Sequence, residues 1–208
     1  MKTDDLIRTL SRDLEPSARK RLTPGLVLSL VGGLIAGAVL VVLALGLREH
    51  FMTHTAAVAM KAIFSALVCV ALLPLAARLA RPGRRVSVWL IAVAALLILT
   101  GIVAGFMVMP GPQGGGAFGY GFPLAYLVIP VLATPTAILV FGWFRRHAPT
   151  RLAFAGGVVG AMSGGLGAVA YALICPVDDM GFVSFWYGAA ILTCTVVGAV
   201  IGPRILRW

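Results

Sequence analysis

From Gly25 to Gly46 the chain runs without a single charged residue. About 20 mainly apolar residues are needed to cross a hydrocarbon core of ~30 Å, and this run supplies them. A backbone in lipid must satisfy its own hydrogen bonds, so the run reads as a helix. Five further segments have the same character: 56–77, 86–109, 122–144, 152–173 and 183–203. The predicted fold is an all-α membrane protein, a bundle of six transmembrane helices preceded by a short amphipathic cytoplasmic helix. Residues 1–24 form a cytoplasmic N-terminal segment, and 25–208 form the six-span domain. Composition agrees: 12% of residues are charged, against about 25% in soluble domains. The first 22 residues are charged and mixed, unlike a cleavable leader, so the first apolar run is expected to remain as a span. Lys61, near the start of the second span, is expected to snorkel to the surface. Pro130 and Pro135 predict a kink in the fourth span. The Gly-rich fifth span is the least distinct of the six.

Charge sets the direction. Of the 17 Lys and Arg residues, all but Arg48 and Lys61 fall on one side of this arrangement. They lie in residues 1–24, in two loops (Arg78, Arg81, Arg84, Arg85; Arg145, Arg146, Arg151) and in the tail (Arg204, Arg207). Excess Lys and Arg stay in the cytoplasm. A multi-pass protein of the bacterial inner membrane is therefore expected, with both termini cytoplasmic. Loops 47–55, 110–121 and 174–182 face outward. The net charge of +10 is explained by orientation and the anionic bilayer, so no direct contact with nucleic acid is expected.

Helices in lipid associate through close backbone approach and hydrogen bonds. Gly156, Gly160 and Gly164 recur at four-residue spacing along one face of the fifth span. Ser29, Gly33 and Gly37 do so in the first, and Cys194, Gly198 and Gly202 in the last. These faces are read as packing surfaces within the chain, with a homodimer seam as the alternative.

No Asp or Glu lies in any span, which argues against a proton-coupled transporter. No nucleotide-binding, metalloprotease or hydrolase motif stands in a fitting context, so neither an enzyme nor a cofactor is expected. Three cysteines with no CxxC spacing give neither a disulfide framework nor a zinc module. Cys175, at the outer end of the fifth span, is placed within reach of periplasmic water. Cys194 lies about 18 Å deep at 1.5 Å per residue. Cys69 is similarly deep, so a bridge between those two is allowed by depth alone. His50 and His54 stand at i and i+4 beside Glu49. With Cys175, they are the weak candidates for a metal ligand, and an ordinary surface pair is the plainer reading.

In the N-terminal segment, Thr3 can cap a helix whose first turn carries Asp4 and Asp5. Leu6, Ile7, Leu10 and Leu14 then fall within about 100° of arc, and Pro16 ends the helix. This stripe either rests on the inner leaflet beside Arg19, Lys20 and Arg21 or docks into a groove of a soluble protein. Periodicity alone does not separate the two.

Several stretches together resemble the NrsF-type integral-membrane anti-sigma factors, negative regulators of an extracytoplasmic-function (ECF) sigma factor. They are the opening MKTDDLIRTLSRDLEP, Arg81-Pro82-Gly83, the segment from Arg145 to Thr150, Cys175-Pro176 with its acidic pair, Phe185-Trp186-Tyr187, and the final segment from Arg204 to Trp208. The resemblance implies a six-span protein that sequesters an ECF-type sigma factor in the cytoplasm through Leu6, Ile7, Leu10 and Leu14. It also implies release on an extracytoplasmic metal or oxidant stress, sensed by two outward cysteines. One corresponds to Cys175. The other is expected near the outer start of the fourth span, where residues 125–132 hold no cysteine. The alternatives are a small transporter or channel for neutral solutes, whose path would need Ser65, Thr100, Thr136, Ser163, Thr193 and Thr195, or a structural membrane subunit.

Overall fold

The structure, a computed structural model, describes residues 22–46, 55–81, 99, 103, 124–147 and 149–207. The expected amphipathic helix, the third span (apart from the helical residues Leu99 and Val103) and the loop 110–121 lie outside them. So do His50 and His54.

Helix α1 is Leu22–Leu45, α2 is Thr55–Leu79, α3 is Leu124–Arg145 and α4 is Leu152–Ala172. A short turn, α5 (Met180–Phe182), leads through a π-helical turn, Val183–Tyr187, into α6 (Gly188–Ile205). There is no strand among the described residues. Among the described residues, five helical stretches are long and apolar enough to cross a membrane: Pro24–Leu45, Thr55–Leu79, Leu124–Arg145, Leu152–Ala172 and Val183–Ile205. They match the first, second, fourth, fifth and last expected spans. Helix α3 stays helical through Pro130 and Pro135. Helix α1 ends at Gly46, which takes a left-handed φ of 76°. Its amide donates to the Val42 carbonyl over 3.0 Å, the turn that glycine makes without steric cost.

Helix α1 runs antiparallel to α3, and α2 to α4. A Cβ on Gly25, at the start of α1, would meet Trp143 at the end of α3, and Lys61 near the start of α2 meets Asp178 beyond the end of α4. One end of the bundle therefore gathers Arg78, Arg81, Arg145, Arg146, Arg151, Arg204 and Arg207. The other holds Lys61, Asp178 and Asp179. These are the basic end and the acidic end.

The axis of the bundle is α4. It packs against α1, α2, α3 and α6, and 78% of its apolar stretch is buried, against 28% for α1 and for α2. Glycine makes this approach feasible. A Cβ on Gly156 would collide with the Gly198 carbonyl of α6, and one on Gly160 with the Cys194 carbonyl. One on Gly164 would lie 2.9 Å from Cys194 Cβ. From the facing side, a Cβ on Gly198 would strike the Gly156 carbonyl, and one on Gly202 would lie 2.7 Å from the Leu152 carbonyl. Toward α3, a Cβ on Gly167 would be 2.7 Å from the Ile129 carbonyl. Helix α1 meets α3 through Gly33, where a Cβ would strike Thr136, and through Gly37, 3.1 Å from the Leu132 carbonyl. All seven glycines singled out as packing positions thus face another helix of the same chain.

Candidate functional site

The acidic end is built around a buried cation. Lys61 is only 1% exposed, and its Nζ forms an ion pair with Asp178 Oδ1 at 2.7 Å. The same ammonium donates to the Cys175 carbonyl over 3.2 Å. The expectation that Lys61 snorkels to the surface is corrected. The segment after α4 folds across the bundle end and brings a carboxylate to the lysine, so the charge is neutralised inside the protein rather than in water. Ionisable groups at membrane depth usually have such a partner. Taking one partner away from a buried pair costs about 3–5 kcal/mol, so this pair holds the 175–179 segment against α2.

Local geometry keeps that segment in place. The Cys175 amide donates to the Tyr171 carbonyl over 3.1 Å, continuing the last turn of α4. Its thiol donates to the Val177 carbonyl at 3.6 Å. Asp179 caps α5: its Oδ1 accepts from the Gly181 amide at 2.7 Å and the Phe182 amide at 3.3 Å. The π-helical turn then directs Tyr187 inward, where it is fully buried beside Cys175. The rings of Tyr171 and Tyr187 meet edge-on with centroids 5.9 Å apart. Such π-turns are frequent at functional positions. Tyr126 and Trp186, centroids 6.1 Å apart, carry the aromatic cluster to α3.

Cys175 itself is 1% exposed, so its expected access to water is also corrected. Tyr171 and Tyr187 lie beside it, and Lys61 holds its carbonyl. Cys69 and Cys194 are buried as well, and none of the three cysteines is joined in a disulfide. Among the described residues no group of three or more His, Cys, Asp and Glu side chains could hold a metal ion. Leu6, Ile7, Leu10 and Leu14 lie outside the described residues, so the structure brings none of them to this site.

Sequence reasoning missed Lys61 and Asp178, although a signal was there. Lys61 is the one charge inside an otherwise apolar span, and the loop after α4 carries two adjacent carboxylates.

Four of the six hydroxyls that a solute path would need are turned back on their own helices. Ser65 donates to the Lys61 carbonyl (2.9 Å), Ser163 to Val159 (2.7 Å), Thr193 to Ala189 (3.0 Å) and Thr195 to Ile191 (2.8 Å). Thr136 Oγ1 is buried at the crossing with Gly33, with no hydrogen-bond partner among the described residues. Thr100 lies outside them.

Residues 10–208 match the family model described as "Negative regulator of sigma F". The chain is 31% identical to the probable anti-sigma-F factor NrsF of Azospira oryzae, with the whole of both chains covered. It is 32% identical to the anti-sigma-F factor NrsF of Caulobacter vibrioides, again over the whole of both. No solved structure matches it. The apolar spans, the glycine-packed axis and this full-length kinship have one reading: the chain belongs to the NrsF family of negative regulators of sigma F.

Proposed function

We propose that this chain is a membrane-embedded anti-sigma factor. It sequesters an ECF-type sigma factor, sigma F, through its N-terminal segment and releases it on an extracytoplasmic metal or oxidant stress. The observation that carries the reading is the kinship with two anti-sigma-F factors over the whole of each chain. The basic end faces the cytoplasm, because positive residues stay inside. Leu6, Ile7, Leu10 and Leu14 then present an apolar stripe to a groove on the sigma factor.

Release needs two states of the bundle that differ in sigma affinity. Moving from 1:99 to 99:1 takes about 5.5 kcal/mol of differential binding. The acidic end supplies a contact that can differ between such states. Cys175 is buried beside Lys61 and two tyrosines, so a soft metal ion or an oxidant reaches it only when the 175–179 segment lifts. A modified Cys175 no longer fits, and the lifted state persists. The segment leads directly into the last span, which lies against the glycines of α4 along its length. A shift there reaches the basic end.

The test is capture of sigma F by the full chain in detergent. The Leu6→Asp/Leu10→Asp variant is expected to retain at least ~10-fold less, since two carboxylates cannot enter an apolar groove unpaired. Undiminished capture would sink the docking claim. For sensing, a Cys175→Ser strain is expected to lose induction of sigma F target genes by cadmium or chromate. A normal response would rule Cys175 out.

A further inference from the structure

A second feature lies at the other end of the bundle. Helices α3 and α6 meet near the acidic end, where the Tyr126 hydroxyl and Thr193 Oγ1 are 3.1 Å apart. Toward the basic end they leave a cavity of about 560 Å³ between them, floored by Gly160 and Ser163 of α4. Its walls run from Pro130 to Arg145 on α3 and from Thr193 to Ile205 on α6. At 1.5 Å per residue that is about 18–22 Å of helix.

Three observations identify the occupant. The walls are hydrocarbon: Ala137, Ile138, Phe141, Val197 and Ile201 face the space. The hydroxyls along it are all spent on their own helices, Thr134 on the Pro130 carbonyl (3.2 Å), Ser163 on Val159 and Thr193 on Ala189. Among the described residues no hydroxyl there lacks an acceptor, so a polar solute gains little by entering. The basic end of the cavity is different, because exposed Arg145 lines it. Arg146, Arg204 and Arg207 are exposed nearby at the same end. The described acids, Asp178 and Asp179, both sit at the opposite end.

The cavity is longer than one leaflet's share of a ~30 Å core, so an acyl chain of that leaflet can lie along it.

We propose that the α3–α6 cavity binds one anionic phospholipid of the leaflet at the basic end. An acyl chain lies along Ala137, Phe141 and Val197, and the phosphate sits at Arg145. Arginine suits this task, because its planar fork donates two parallel hydrogen bonds to a phosphate. The proposal stands independently of sigma binding.

The test is native mass spectrometry of the full chain, delipidated and then titrated with phosphatidylglycerol or phosphatidylcholine carrying identical chains. One phosphatidylglycerol per chain is expected, bound at least ~10-fold more tightly than phosphatidylcholine. Arg145→Gln, an exposed change that leaves the packing intact, is expected to erase that preference. Ala137→Trp, which fills the cavity, is expected to remove both lipids. Equal binding of the two headgroups, or an unchanged preference in Arg145→Gln, overturns the proposal. Cysteine at Ala137 adds a further check. Cross-linking to a second copy, or to an engineered cysteine within 86–109, would show protein filling the space and would also overturn it.

Discussion

Helices α1 and α4 have opposite relations between composition and position. Helix α1 is the more apolar, yet only 28% of its apolar stretch is buried, and Leu28, Ile35 and Leu43 are 57–81% exposed. Helix α4 is the least apolar of the five, yet 78% buried. In water the order would be reversed. In lipid, leucine gains nothing by facing another helix rather than an acyl chain, whereas a glycine lets two backbones approach and gain dispersion contacts. The span that looked weakest in sequence is therefore the axis of the bundle, and the strongest-looking one lies at its rim.

That contrast can be broken by placing one substitution in both helices. Gly160→Leu drives a side chain into the Cys194 carbonyl. Backbone cannot yield as a side chain can, so the cost exceeds the usual 1–3 kcal/mol of overpacking. The expected outcome is loss of the monodisperse peak in size-exclusion chromatography. Gly32→Leu on α1 places its Cβ 3.5 Å from Leu139 Cδ1, at ordinary contact with a flexible tip. It is expected to leave the monodisperse peak in place, because the Leu139 tip can yield. Comparable damage at both positions would mean that α4 is no more central than α1.

The next effect in size belongs to the acidic end. Asp178→Asn leaves the Lys61 ammonium buried with only neutral partners. The loss is expected at the lower part of the 3–5 kcal/mol range, because the Asp178 side chain is 31% exposed. The same variant is expected to speed alkylation of Cys175 by a membrane-impermeant maleimide, since the segment is no longer held to α2. Equal labelling rates in the two proteins would show that the pair does not hold the segment. The smallest effect is Leu28→Ala, at a residue 74% exposed, where thermal stability in detergent is expected to move by about a degree or less.

The sequence made some of this legible and not the rest, for physical reasons. Spans are local: an uncharged run between Gly25 and Gly46 has few alternatives in lipid. The glycine faces are also local, since four-residue spacing puts Gly156, Gly160 and Gly164 on one side of a helix whatever it meets. Which helix each face meets is a tertiary fact, and periodicity carries no sign of it. Lys61 and Asp178 are 117 positions apart, and only the fold of the segment after α4 joins them. The burial of Cys175 depends on the same segment and on Tyr187, which a π-helical turn rotates inward. An α-helical reading of Val183–Tyr187 offers no hint of that turn.

The central claim is that this chain holds sigma F at the membrane. It is tested most directly by fractionating cells with and without the chain and measuring sigma F in the membrane pellet. The account predicts that most sigma F sediments with membranes when the chain is present. It also predicts that sigma F moves to the soluble fraction, with its target genes induced, when the chain is deleted or carries Leu6→Asp/Leu10→Asp. An unchanged distribution of sigma F and silent target genes in the deletion strain would contradict it.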